Sequence, residues 1–169
     1  QEILTTSLIL AYNSKDDARG PLGRGWTHTY NRSIKQSPAG SLLLADGDGN
    51  RVYFLNNGTG VYRPGLGTGD HRTITSNGNT YQLSMEDGTL AIFNFTSGRL
   101  LEISNRNNNK TILSYTEGNL TAITDPTGHV TTLTYNALGL ISEITDHLGR
   151  ATVLLYDANG YLSRTTDPL

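Results

Sequence analysis

Residues 118–135 read GNLTAITDPTGHVTTLTY, and residues 98–115 and 139–156 repeat that frame as GRLLEISNRNNNKTILSY and GLISEITDHLGRATVLLY. Successive opening glycines lie 20, 21 and 21 residues apart, the last being Gly160, where a fourth unit begins. From Asn105 to Tyr115, Asp125 to Tyr135 and Asp146 to Tyr156 the distance is ten each time. The residue missing from the first unit therefore falls between Tyr115 and Gly118, inside a turn. A fixed period with length changes confined to turns is the signature of a repeat architecture.

Each unit reads as two strands and two turns. In the second strand Thr111, Leu113 and Tyr115 alternate onto one face, as do Thr131, Leu133 and Tyr135, and Thr152, Leu154 and Tyr156. That face is expected to point inward, because it carries Leu at the same position in every copy while the opposite face is mixed. The first strand keeps Leu100 and Ile103, Leu120 and Ile123, then Ile141 and Ile144. A spacing of three breaks strict alternation and implies either a bulge or an early strand end. The turn Asp125-Pro126-Thr127-Gly128 combines an acceptor side chain, a preset φ and a residue suited to positive φ. Asp146 to Gly149 repeats it, and Asn108 replaces the glycine in the first copy, so all three positions are expected in the left-handed region.

Before Gly98 the grammar continues with weaker periodicity. Asp46 to Asn50 and Glu86 to Gly88 read as hairpin turns between apolar strands. The glycine-rich stretch from Asn56 to Gly69, with Pro64, is the longest loop candidate. Leu8, Leu10 and Tyr12 alternate, as do Trp26, His28 and Tyr30, with Gly20 to Gly25 read as a tight corner that places Trp26 against the sheet. The pattern predicts one all-β chain: an antiparallel meander of successive hairpins, about a dozen strands, curved. It divides into an opening β-region, 1–97, and three and a half repeats, 98–169, continuous with it.

Composition agrees. The chain has 19 Gly and 9 Tyr but only 3 Phe, 1 Trp and 1 Met, which favours short strands and tight turns over long helices. It has no Cys, which excludes disulfides and zinc–thiolate sites. A net charge of -2 gives no global attraction for nucleic acid, and no apolar run reaches membrane-spanning length.

Tyr12-Asn13-Ser14, the run GPLGRGWTHTY at 20–30 and three copies of Gly-x-Leu/Ile-x-x-Ile-Thr/Ser-Asp/Asn followed by Tyr resemble the YD-repeat, or RHS (rearrangement hotspot), family. Only Tyr156-Asp157 carries the literal dipeptide; Tyr135-Asn136 and Tyr115-Thr116 depart from it. The resemblance covers essentially the whole chain and places it in the N-terminal part of the repeat region. It implies a β-sheet strip that spirals into a shell around a C-terminal, often toxic, polypeptide, or a related cell-surface adhesion protein. It also implies a secreted or cell-surface location. Asp125-Pro126-Thr127-Gly128 is followed by His129 and belongs to an ordinary repeat, so no self-cleavage residues carry over.

Candidate chemistry is sparse. Asp46-Gly-Asp48-Gly-Asn50 superficially resembles a calcium loop, but Arg51 and Asn57 stand where an EF-hand needs Gly and Glu, so a plain hairpin turn is expected. His28, His71, His129 and His147 show no zinc-binding spacing. His129 and His147 sit in or beside turns and should be exposed, whereas His28 reads as packed or hydrogen-bonded. Gly20 to Gly25 lacks a following Lys-Ser/Thr and a helix, which leaves phosphate binding unsupported. Asp16-Asp17 and Glu86-Asp87 look like solvated loop acids. The expectation is therefore no catalytic, cofactor-binding or metal residues, no cofactor and no enzyme activity. The expected function is a structural shell or scaffold segment, with a carbohydrate- or cell-surface-binding module as the alternative. Expected partners are the rest of the parent polypeptide, namely further repeats and a C-terminal cargo. A second copy of the chain could also pair with it through unpaired edges at Ser7 to Tyr12 and beyond Tyr156, and a carbohydrate or surface protein is the remaining candidate.

Overall fold

The computed structural model describes residues 8–14 and 18–167, and every regular element among them is a strand. Four short strands come first: β1 (Leu10–Tyr12), β2 (Arg19–Gly20), β3 (Gly23–Arg24) and β4 (Trp26–His28). Next come β5 (Ser33–Gln36), β6 (Leu42–Ala45), β7 (Arg51–Asn56), β8 (Val61–Pro64), β9 (Thr73–Ser76), β10 (Thr80–Ser84) and β11 (Leu90–Asn94). The repeat half supplies β12 (Leu100–Ser104), β13 (Lys110–Thr116), β14 (Asn119–Thr124), β15 (Val130–Tyr135), β16 (Ile141–Thr145), β17 (Ala151–Tyr156) and β18 (Leu162–Thr166). Strands β5 to β18 form one 14-stranded sheet whose spatial order is the chain order, every pair antiparallel. The expected all-β meander is the fold.

The spacing of three in the first strand of each repeat is a bulge. Ser114 pairs with Ala122 but Tyr115 with Leu120, so Thr121 is the extra residue. The same slip skips Ser142 between Thr134–Glu143 and Tyr135–Ile141, and Ser163 between Leu155–Arg164 and Tyr156–Leu162. One inserted residue returns the alternation to phase, which lets Leu120 and Ile123, or Leu100 and Ile103, both face inward. All four are buried. The first unit has the same slip, which skips Leu101 between Ile92–Glu102 and Phe93–Leu100.

The turns follow their side chains. Asp125 Oδ1 accepts from the N–H groups of Thr127 and His129, while Gly128 N–H donates to the Asp125 carbonyl. Asp146 and Asn105 make the same set of bonds. Gly128 and Gly149 stand at φ 89° and 78°, and Asn108 at 61°. The shortened turn of the first unit is a two-residue hairpin with both central residues, Glu117 and Gly118, at positive φ, as a type I′ turn requires. The deletion thus exchanged one hairpin type for another and left the strands in register.

Laid flat, fourteen strands at roughly 4.8 Å would span about 60 Å. Instead the strip curls. Ile34 N–H on β5 donates to the Gly98 carbonyl in the β11–β12 turn at 2.8 Å, and Ser33 bridges Arg99. Inner-face residues from Ile34 on β5 to Leu154 on β17 belong to one apolar cluster, which also holds Leu22 and Tyr30 from outside the sheet.

Two expectations need correcting. The stretch Asn56 to Gly69 is not one loop, because Val61–Pro64 is a strand between β7 and β9 with Tyr62 buried. Glycines on both sides masked that short alternation, and Pro64 is tolerated as its last residue. The opening pattern does not continue into the sheet, since β1 pairs only with β4 and β2 only with β3. At the start of the chain Leu10–Tyr12 is paired on one side, with Trp26–His28, while Ser7 lies outside the described residues.

At Gly128 and Gly149 an added Cβ meets nothing within 4 Å, so substitution costs are those of the backbone alone. Val at either site is expected to lower stability by about 1–3 kcal/mol, and Asn by a fraction of that. Thermal melts of the two pairs of variants check this; equal effects of Val and Asn would show the turn does not demand a left-handed residue.

Candidate functional site

The recurring feature is the inner face of the strip. Leu113, Leu133 and Leu154 are buried there, and each is flanked by a half-buried tyrosine. Tyr115 Oη donates to the Leu100 carbonyl at 2.7 Å, Tyr135 Oη to Leu120 at 2.8 Å and Tyr156 Oη to Ile141 at 2.7 Å. Every acceptor is the residue just before the bulge of the preceding strand. The acceptor residue is in turn the backbone partner of the previous tyrosine: Leu120 pairs with Tyr115, and Ile141 with Tyr135. The bonds therefore form a relay that steps from one repeat to the next. Burial pushes the hydroxyls of Tyr115, Tyr135 and Tyr156 up to about 12.

The corner at Gly20 to Gly25 lies against this face, and the residue it buries there is one the sequence did not single out. The hairpin β2–β3 presents Pro21-Leu22 at its tip; Leu22 is fully buried, and the Pro21 carbonyl accepts the Ile141 N–H at 2.8 Å. Beside it, Gly23 packs so closely on the Gly160 carbonyl that a Cβ would fall 2.3 Å from that oxygen. The corner at Gly20 to Gly25 thus drives Leu22 into the sheet. Trp26 is only partly buried, with its ring 5.1 Å from that of Tyr12. A lone Leu between Pro and Gly was the available signal, too short for any periodicity to reveal.

His28 is packed, as its position between Trp26 and Tyr30 suggested. It is 2% exposed, and its Nδ1 accepts the Tyr30 N–H at 3.3 Å. Burial lowers its pKa to about 4, so the ring is neutral across the ordinary pH range. His129 and His147 lie on adjacent turns with rings stacked 3.9 Å apart, and both are exposed. His71 is exposed too, in the loop before β9.

The calcium-like loop is a turn with an ionic task. Asp46 Oδ1 accepts from Arg32 and Oδ2 from Arg72, both at 2.6 Å, and Arg72 reaches back to Asp70 at 2.7 Å. Asp48 Oδ1 accepts the Asn50 N–H. The Asp46 carboxylate is thus committed to two guanidiniums, a poor starting point for a cation site. Among the described residues no group of three or more His, Asp or Glu is arranged to hold a metal. Asp87 is an exposed turn acid whose Oδ1 accepts the Thr89 N–H, while Asp16 and Asp17 lie outside the described residues. No helix is long and apolar enough to cross a membrane among the described residues.

Comparison with known families matches residues 96–130, 115–146 and 135–169 to the RHS repeat, in three overlapping copies. Residues 1–54 match a domain of unknown function designated DUF6531. Residues 96–169 are therefore RHS repeats, which agrees with the resemblance read from the sequence. None of the curated proteins compared matches the chain.

Two buried groups set opposite pH limits. His28 is neutral when folded but protonates below about 6.5 when unfolded, so its contribution is complete above 6.5 and falls as pH drops towards 4, by about 3 kcal/mol. The three tyrosines keep their protons to about 12 when folded against 10.0 otherwise; that stabilisation is complete below pH 10 and is lost as pH rises through 12. Denaturant melts from pH 4 to 12 should show both slopes. His28→Gln should flatten only the acid one, and Tyr135→Phe, costing about 1 kcal/mol at neutrality, should reduce only the alkaline one.

Proposed function

We propose that this chain is a structural β-shell or scaffold segment, carried in a larger secreted toxin-delivery or cell-surface polypeptide, and that it is not an enzyme. The observation that carries the reading is the tyrosine relay. It joins unit to unit with a constant offset of 15 residues, so the same interaction supports a strip of any number of repeats. The partners in this reading are further repeats and a C-terminal cargo. The alternative, a carbohydrate- or surface-binding module built on the repeats, called for an exposed ladder of tyrosine rings. Tyr115, Tyr135 and Tyr156 instead face inward with their hydroxyls engaged, which favours the scaffold.

An antibody raised against this chain tests the reading in fractionated source cells. Recognition of a polypeptide much larger than 18.3 kDa in the secreted or surface fraction is expected, and a band of that size confined to the cytosol would overturn it. Self-association of the isolated chain is proposed to run through β18, whose outer edge has no strand beside it among the described residues. Sedimentation velocity over a hundredfold concentration range should show dimers, and Ser163→Pro or Thr165→Pro on that strand should suppress them; a strict monomer throughout would refute edge pairing.

A further inference from the structure

The β14–β15 and β16–β17 turns hold the same place in consecutive repeats, and each carries an exposed histidine. His129 closes the first turn, and His147 lies inside the second, 18 residues further on. Along the chain that separation gives no metal-binding spacing. Across the strip the two side chains meet: their rings stack with centroids 3.9 Å apart and planes 17° from parallel. Imidazoles that touch one another are within reach of a single ion, whose bonds to nitrogen are about 2.0–2.1 Å for zinc. Ligation requires the rings to open from the stack until their lone pairs converge. Rotation about the side-chain torsions supplies that movement, because both residues are exposed.

His129 is already held in the tautomer a metal needs. Thr127 Oγ1 donates its proton to Asp125 Oδ1 at 2.6 Å, so the same oxygen accepts from His129 Nδ1 at 2.8 Å. Asp125 Oδ2 stands 3.3 Å from that nitrogen. With the proton fixed on Nδ1, the lone pair lies on Nε2, at the far side of the ring. A hydroxyl and a carboxylate behind a histidine orient imidazole ligands and raise their basicity. His147 forms no hydrogen bond among the described residues, so nothing but the stack holds its ring. The Asp125 carboxylate favours a cation here, while the nearby charge of Arg150 is taken up by Asp146 at 2.6 Å.

We propose that His129 and His147 together bind one divalent ion of the imidazole-preferring class, represented by Zn2+, with water completing its coordination. The ion pins the turns of two neighbouring units at the rim of the strip, and the site does not depend on the scaffold reading. Imidazole nitrogens select Zn2+ over Mg2+, which takes oxygen ligands. Isothermal titration of the untagged chain with Zn2+ in a non-coordinating buffer should show one ion per chain. His129→Gln and His147→Gln should each weaken binding about tenfold. His71→Gln, at an exposed histidine in the loop before β9, should leave it unchanged. Circular dichroism confirms that the three variants fold. Nitrogen NMR of the unaltered chain supplies a second test: one equivalent of Zn2+ should shift the ring nitrogens of His129 and His147 together. Binding indifferent to both substitutions, or weakened as much by His71→Gln, would reduce the site to scattered surface histidines and overturn the proposal. So would Mg2+ bound as tightly as Zn2+, which would assign carboxylates, and so would no binding at millimolar Zn2+.

Discussion

The hydrogen bond from Tyr135 to the Leu120 carbonyl joins neighbouring strands through a side chain rather than the backbone ladder, and the repeat half is arranged to permit it. For Tyr135 to reach that oxygen, Leu120 must sit at the inward phase of its strand while Ile123, three residues on, is also inward. Only the extra residue Thr121 allows both. The bulge in turn adds local twist, and twist accumulated at every second strand bends the strip in one direction. A net gain of roughly 1 kcal/mol per hydrogen bond is modest. The larger contribution is the ring, whose burial beside Leu133 removes apolar surface from water at about 25 cal/mol per Å². The hydroxyl bond selects where that ring lies, so a modest interaction fixes the register of a larger one.

Much of this was legible in the chain itself. Ten residues from turn acid to tyrosine, and Leu at one phase of three strands, sufficed for the meander, the buried face and the turns at Asp125 and Asp146. The spacing of Leu120 and Ile123 announced an irregularity, yet sequence alone could not separate a bulge from a strand end. That choice rests on the hydrogen bonds of the partner strand. Phe93 stands opposite Leu100 where a tyrosine stands in the later pairs, and without a hydroxyl it does not extend the tyrosine pattern back past Gly98. Repetition reports what each unit does to its neighbour, and it is silent about contacts made once.

The single-occurrence contacts are the ones that escaped. Leu22 against the strip, the Pro21 carbonyl on Ile141, and Asp46 between Arg32 and Arg72 each join residues 14 to 120 positions apart, with no periodic signal. An isolated strip with this curvature would present a long apolar concavity to water. The opening segment covers part of it with Leu22, Tyr30 and the β1–β4 ribbon, which lets a sheet of mixed outer face keep a dry inner one.

That arrangement makes the two ends of the sheet unlike. At β5 the outer edge meets the β11–β12 turn, where Ile34 N–H donates to the Gly98 carbonyl, so a strand added there would have to displace that contact. At β18 the ladder continues unchanged: Tyr156 pairs with Leu162 across the same slip that follows every relay acceptor. The Leu162 carbonyl thus occupies the place that Ile141, Leu120 and Leu100 hold one, two and three units earlier. Extension by the same rule is possible in one direction only, and each added unit would find its acceptor already placed by the unit before it.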